Sequence, residues 1–467
     1  MTKSTSMTEG SILQKIILFA LPLVLGNLFQ QAYNLVDASI VGKILGANAL
    51  ASVGVSSSVQ FLVLGFCMGV SIGFAIPIAT KFGAKEYHEM KRYVFVGGVL
   101  TTLIAILVTF LTTVGCSFIL HILDTPQEIF SDAYLYLFTI FAGIPCTLLY
   151  NYLASILRAI GDSKTPFYFL AFSAVLNIFL DLFCILVLNL GCFGAALATI
   201  IAQGVSGMLC LLLIIRKFQI LHIGKEDRIF EKDKAMYSLS MGLPMGLQYS
   251  ITAIGSMVMQ MSNNSLGTIY VSAYAAGLKI KQFMMCPYDA IATATSTFCS
   301  QNFGANQYER IKKGIVVGIS IGLAYSALAT MVMVFFGRPL SMLFLDASST
   351  EILDASVQYL KYIGLFYFAL ALLNVTRQTI QGLGWSGRTV IAGVIEMCAR
   401  CVICLGFTAS YGFTAICCAD QVAWCTAVIY LIPTLYFCLK HVKEVIVQQQ
   451  FRSVYKELHA DHETEGC

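Results

Sequence analysis

Twelve apolar stretches, separated by short polar connections, make up most of this chain, and no other feature restricts its fold so severely. They run at 12–41, 47–80, 93–120, 130–157, 166–188, 193–215, 238–262, 270–300, 314–337, 357–380, 389–409 and 413–437. Each approaches or exceeds the ~20 residues that carry an α-helix across a bilayer. Apolar and polar residues do not alternate along them, which argues against a membrane β-barrel. Only 12% of the 467 residues are charged and 58% are hydrophobic, whereas a soluble domain is about 25% charged. Backbone in hydrocarbon must satisfy its own hydrogen bonds, so the expected fold is an all-α integral membrane protein with twelve transmembrane helices.

Basic residues set the orientation. Lys81, Lys85, Lys91 and Arg92 follow the second stretch, Arg158 and Lys164 the fourth, and Arg216, Lys217, Lys225, Arg228, Lys232 and Lys234 the sixth. Arg310, Lys312 and Lys313 follow the eighth, Arg388 the tenth, and Lys440, Lys443, Arg452 and Lys456 lie beyond the twelfth. The opposite connections carry Asp124, Glu128, Asp132, Asp346, Glu351 and Asp354, with Arg338 almost the only cation. The positive-inside rule then places both termini in the cytoplasm of a cell-membrane protein. The net charge of +4 resides in these loops and does not point to nucleic acid. Gln14 and Lys15 lie inside the onset of the first apolar run, and no small-residue cleavage pattern ends it, so it reads as a helix and not a signal peptide. The sixteen cysteines sit almost entirely in the spans with no mid-membrane histidine, which suits small buried hydrophobes and no structural metal.

The chain also repeats itself. "KFGAKEYHEMKR" (81–92) returns 221 residues later as "NFGANQYERIKK" (302–313), "LPLVLG" (21–26) matches "LPMGLQ" (243–248), and "IGDSKT" (160–165) matches "LGWSGR" (383–388). Each half then holds six helices, and an even number starts both halves on the same side, giving a parallel repeat about an axis along the membrane normal. The expected organisation is a first lobe at 1–215, a cytoplasmic linker at 216–237, a second lobe at 238–437 and a cytoplasmic tail at 438–467. Two such lobes suit alternating access around a central cavity.

Away from the span ends, the first half buries two acids, Asp37 and Asp181, and no base. Each lies fifteen residues after a proline, Pro22 or Pro166, on an outward-running helix, and Thr199 enters from outside on the sixth. All three fall in one layer, roughly 6 to 12 Å below the outer surface. Helical spacing adds Gln30, Tyr33 and Asn34 beside Asp37, Asn177 beside Asp181, and Gln203 beside Thr199. Two carboxylates without a neutralising cation can hold a proton, or their oxygens with those of Asn177 and Thr199 can coordinate Na⁺. Packing hydrogen bonds are the plainer alternative, but paired intramembrane acids at matching depth favour function.

These residues resemble the multidrug and toxic compound extrusion (MATE) family. The likeness rests on "LP" with Asp37 fifteen residues on, "NLVDASIVG", "QNFGA", "LRAIGDSKTP", and "NIFLD" followed by "GAALAT", and it spans roughly residues 10 to 440. The resemblance implies twelve helices in two lobes and export of amphipathic, often cationic compounds against inflowing H⁺ or Na⁺, with no bound cofactor and a functional monomer. Carried over by position, the family's first-lobe cation site falls on Asp37, Asn177, Asp181 and Thr199, with the carbonyl of Ala195. Pro22 matches a proline whose bending is linked to coupling in some members. The chain departs from members with acids in helices 7 and 10, since 238–262 and 357–380 contain no Asp or Glu.

The second half has Glu396, Arg400 and Asp420 at comparable depth. They read either as an ancestral cation site in which Arg400 replaces the ion or as an ordinary structural pair. Lys279 and Lys281 cannot face the same way, and Asp289 can pair with a lysine or meet a cationic substrate. Met257 and Met261, with Met241, Met245 and Met259, can form an adaptable substrate wall or simply pack. The alternative function is a lipid-linked oligosaccharide flippase of a related two-lobe fold, which calls for a basic cavity. No HExxH or nucleophile–base arrangement suggests an enzyme.

Overall fold

The computed structural model describes residues 6–123 and 125–464, the side chains of 47 and 450–464 excepted; Asp124 and the tail residues 465–467 lie outside it. Among the described residues there is no strand. The α-helices are α1 (Ile12–Ile44), α2 (Ala47–Gly83), α3 (Tyr87–Val114), α4 (Cys116–Ile122), α5 (Gln127–Ala142), α6 (Ile144–Ala159), α7 (Lys164–Leu182), α8 (Gly191–Lys217), α9 (Lys232–Asn264), α10 (Thr268–Gly304), α11 (Tyr308–Ser341), α12 (Thr350–Leu365), α13 (Tyr367–Gly382), α14 (Ser386–Tyr411) and α15 (Phe413–Thr464).

The twelve apolar stretches map onto these helices in order. Eight crossings are long, apolar helices, with α3 and α4 forming one of them, and two are pairs bent by 44° (α5–α6) and 52° (α12–α13). At the first bend Pro145 enters the opening turn of α6, where its missing N–H costs no helical bond. The remaining two, α9 and α10, have 33 and 37 residues and so are long enough to span. They are more polar than the other crossings; α9 carries Gln248, Gln260, Asn263 and Asn264.

Helix continues across two of the expected boundaries. α15 runs unbroken for 52 residues, past 438 to Thr464. The linker 216–237 is also shorter as a loop, because α9 starts at Lys232. Its charged first turn is held by ion pairs with α3, Lys234 to Glu89 at 3.0 Å and Arg92 to Glu231 at 3.0 Å. The hydrogen bond from Lys234 holds the Glu231 carboxyl below its ordinary range.

Backbone geometry fixes the register of the repeat more sharply than sequence does. Left-handed residues recur in pairs: Gly46 and Gly267 (φ 92° and 100°), Lys85 and Asn306 (61° and 58°), Gly161 and Gly384 (87° and 97°), and Gly191 and Gly412 (56° and 54°). Four turns between helices therefore recur at equivalent positions in both lobes, whereas Asn189 (φ 52°) has no left-handed counterpart.

Each lobe lends its first helix to the other. The first half of α1 buries Ile16, Phe19 and Ala20 against Ala294, Phe298, Ile311 and Ile315 of α10 and α11, whereas its middle returns to the first lobe, with Gly26 against Leu170. In the same way α9 lies on α2, where Cβ atoms on Gly73 and Gly69 would come within 2.5 and 2.7 Å of α9 backbone. The lobes close tightly on the side of the basic loops. There α2 and α10 end at Gly83 and Gly304, equivalent positions in the repeat. A Cβ on Gly83 would lie 1.9 Å from the Gln301 carbonyl oxygen, and one on Gly304 would lie 1.8 Å from that of Thr80. Beneath this crossing runs the amino-terminal segment. The Met7 N–H donates to Gln301 Oε1 (2.9 Å), the Met7 carbonyl accepts from Asn302 Nδ2 (3.2 Å) and Arg310 Nη2 (3.1 Å), and Gln301 Nε2 donates to the Ala159 carbonyl (2.8 Å).

Candidate functional site

The first-lobe layer is assembled by α1, α7 and α8. Asp37 and Asp181 come within hydrogen-bonding reach of each other. Asp181 and Asn177 are buried, and Asp37 is half-buried. Two ionised carboxylates do not tolerate this approach without a proton or a cation between them. In the orientation its neighbours favour, Asn177 donates to Asp181 Oδ2 at 3.2 Å and accepts from the Thr199 N–H at 3.2 Å. Thr199 Oγ1 donates to the Ala195 carbonyl at 3.2 Å. One oxygen of each acid, Asp37 Oδ1 and Asp181 Oδ1, is buried with no donor among the described residues. The set of two carboxylates, an amide, a hydroxyl and a carbonyl offers oxygens alone, which suits a proton or a hard cation.

Of the proposed neighbours, Tyr33 faces Asp37 and Asp181, whereas Asn34, one residue further round α1, is exposed and turned away from the layer. Gln203 accepts from Thr147 Oγ1 at 2.5 Å. Pro22, Gln30, Tyr33 and Gln203 line one cavity of about 90 Å³ that also reaches Gly26 and Arg158. It extends from the proline on the basic side to one turn short of Asp37. Two residues not anticipated from sequence complete the layer: Tyr136 of α5, beside Asp37 and Asp181, and Gln60 of α2, in contact with Tyr136.

Arg158, counted from sequence with the basic connections at the span ends, reaches into the first lobe from the end of α6. It lies inside α6, lines both this cavity and a second one between the lobes beside Gln378 and Gln381, and pairs with no acid among the described residues. Its Nε donates only to the Ala154 carbonyl at 3.2 Å.

The second-lobe acids belong to a larger network than the sequence suggested. Lys281 Nζ meets Asp420 Oδ2 at 2.5 Å, Arg400 Nε meets Asp420 Oδ1 at 2.9 Å, and Arg400 Nη2 reaches Glu396 Oε2 at 3.5 Å. Arg377 of α13 bonds Glu396 at 2.7 Å and Asn374 at 2.7 Å, and Asn374 donates to Asp289 Oδ1 at 3.2 Å. Asp289 therefore pairs with no lysine, because Lys281 turns to Asp420 while Lys279 is exposed. The buried acids Glu396 and Asp420 are thus answered by Lys281, Arg377 and Arg400, whereas Asp289, half-buried, is held through the Asn374 amide. Arg400→Ala leaves Asp420 and Glu396 short of a partner, and about 3–5 kcal/mol of stability is expected to go with it; thermal unfolding of the purified variant measures the loss. Of the methionines, Met241, Met245 and Met259 pack in the interior, and only Met257 and Met261 remain open to contact.

The MatE family model matches residues 22–183 and 244–405, one match per lobe. The probable multidrug resistance protein YpnP of Bacillus subtilis (strain 168) is 30% identical over 398 residues, 84% of this chain and 88% of that protein. The FAD transporter of Shewanella oneidensis is 23% identical over 406 residues, 84% and 86% of the two chains. A solved structure described as "Outward-facing conformation of a multidrug resistance MATE family transporter of the MOP superfamily" aligns with a TM-score of 0.88 at 20% identity, over 95% of this chain and 99% of that one.

Proposed function

The chain belongs to the MatE family of multi-pass membrane transporters, and we propose that it is a multidrug efflux antiporter, exporting amphipathic, often cationic organic compounds in exchange for inflowing H⁺ or Na⁺. The observation that carries this reading is the Asp37–Asp181 pair, with one donor-free oxygen on each acid and with Asn177, Thr199 and the Ala195 carbonyl around it. We place the protein in the cell membrane with both termini cytoplasmic, acting as a monomer.

The cycle then runs as follows. With the basic, cytoplasmic side shut at Gly83 and Gly304, H⁺ or Na⁺ reaches Asp37 and Asp181 from outside and relieves their repulsion. The change passes along α1 through Tyr33 and Gln30 toward Pro22, where the missing N–H makes the helix easiest to bend. Substrate leaves, the lobes rock, and the cation departs along the Pro22 cavity to the cytoplasm. Coupling needs only that cation and substrate favour different states of the same equilibrium.

The sequence argument against the flippase alternative weakens, since Arg158 does put a base in the cavity, but the family matches do not favour that alternative. Transport into proteoliposomes separates the readings. An imposed H⁺ or Na⁺ gradient should drive a labelled organic cation uphill; movement that follows only the substrate's own gradient refutes antiport.

A further inference from the structure

We propose that the Lys281 ammonium is a built-in cation: it occupies, in the second lobe, the place that the coupling ion takes in the first, so that half of the repeat stays permanently loaded. The inference rests on reading the Asp37–Asp181 layer as a cation site. The left-handed turns supply the register. A shift of 221 from α2 to α10, fixed by Gly46 and Gly267, sets Lys281 at the position of Gln60. A shift of 223 from α7 to α14, fixed by Gly161 and Gly384, sets Arg400 at Asn177 and Glu396 at Ser173. A shift of 221 from α8 to α15, fixed by Gly191 and Gly412, sets Asp420 at Thr199 and Trp424 at Gln203. Pro22 and Pro244 align Asp37 with Met259 and Tyr33 with Gly255, and the matched bounds of α5 and α12 align Tyr136 with Tyr359.

The two clusters share the wall contact between the fifth and sixth spans of each lobe and differ where the ion belongs. Asn177 lies 3.3 Å from Thr199 Oγ1, and its counterpart Arg400 lies 2.9 Å from Asp420. The guanidinium fits because Gly255 replaces a tyrosine: a Cβ there would already be 3.4 Å from Arg400 Cδ and Nη1. Arg400 is thus a wall residue enlarged in place, not the ion's substitute that its charge alone suggested. Lys281 is different. It reaches in from α10, is buried, and brings its Nζ to 2.5 Å from Asp420 and 5.8 Å from the ring centre of Trp424. A compact ammonium on a long apolar stem is the side chain closest in shape and charge to a small bound cation. Met259 meanwhile deletes the carboxylate equivalent to Asp37, so no second ion is called for.

The test is chemical rescue. Lys281→Ala, purified in detergent, is expected to melt on the order of 5 °C below the unaltered protein. Methylammonium at about 0.1 M should recover roughly half of that shift or more, and choline at equal ionic strength none. The unaltered protein should respond to neither. Emission from Trp424, one of two tryptophans, reports refilling beside position 281. Equal responses to methylammonium and choline, or none, overturn the proposal. Where Lys281→Ala does not fold, Lys281→Met/Asp420→Leu decides: this neutral pair should fold and ignore methylammonium, because Arg400 keeps Glu396. If the pair variant fails to fold too, the lysine is not there to answer the charge of Asp420, and the proposal falls. These readouts report the second lobe's stability and not transport, so they stand apart from whether Asp37 carries the coupling ion.

Discussion

Asp37→Asn is expected to yield a folded, membrane-inserted protein that no longer drives substrate uphill. The change keeps shape and removes one charge, so the repulsion that an ion must relieve disappears, and the new amide can donate to Asp181, whose Oδ1 has no donor among the described residues. Stability should hold or rise, whereas the energetic link to the ion gradient is cut. Each charge moved inward across 100 mV supplies roughly 2.3 kcal/mol, about a 50-fold accumulation ratio. That factor, and any contribution from the chemical gradient, should vanish in proteoliposomes carrying the variant. Downhill exchange of labelled substrate should persist, since the cavity walls are untouched. Undiminished uphill transport by Asp37→Asn, at normal protein levels, would rule the pair out as the coupling site.

This pair was legible in the sequence because charge in an apolar helix is rare, and because two such acids fell at one depth. Helical spacing also brought Asn177 and Thr199 to them correctly, but it could not tell Tyr33 from Asn34: one residue is about 100° around the helix, and only the first faces Asp181. Tyr136 and Gln60 were invisible for a different reason, since a tyrosine or glutamine in a span is unremarkable until a neighbouring helix supplies its partner. Arg158 was misread because the positive-inside rule counts cations near span ends without asking where they point. The bend between α5 and α6 and the position of Arg158 one residue before the end of α6 leave its side chain in the cavity. Arg377 belongs with it: an arginine three residues after Asn374 on α13 reads as a lone charge until Glu396 of α14 comes opposite. The two-lobe fold was readable from the repeat, yet its register needed the left-handed turns, because helices of similar composition slide past one another without penalty in a sequence comparison.

The closed crossing at the basic side makes the other large expectation. Gly83→Ala/Gly304→Ala should sharply slow turnover while leaving each lobe intact. At both positions the added Cβ would meet backbone, at 1.9 Å from Gln301 and 1.8 Å from Thr80, and a backbone oxygen cannot swing aside as a side chain does. Relief requires the ends of α2 and α10 to part by on the order of 1 Å, and packed interfaces answer such overpacking by about 1–3 kcal/mol. The penalty falls only on the state in which the basic side is shut, so the equilibrium between access states shifts by about 5- to 150-fold away from it. The amino-terminal segment should loosen too, because Met7 is held by Gln301 and Asn302 next to the crossing. Amide hydrogen exchange at residues 80–86 and 301–307 is the direct readout, and it should accelerate together with the loss of transport. Gly54→Ala supplies the control: nothing lies within 4 Å of a Cβ there, on the same helix as Gly83, and it should change neither quantity. If the double variant transported normally with unaltered exchange, the crossing would be ordinary helix packing, and the gate would have to lie elsewhere along α2, where Gly69 and Gly73 face α9 with no Cβ between them.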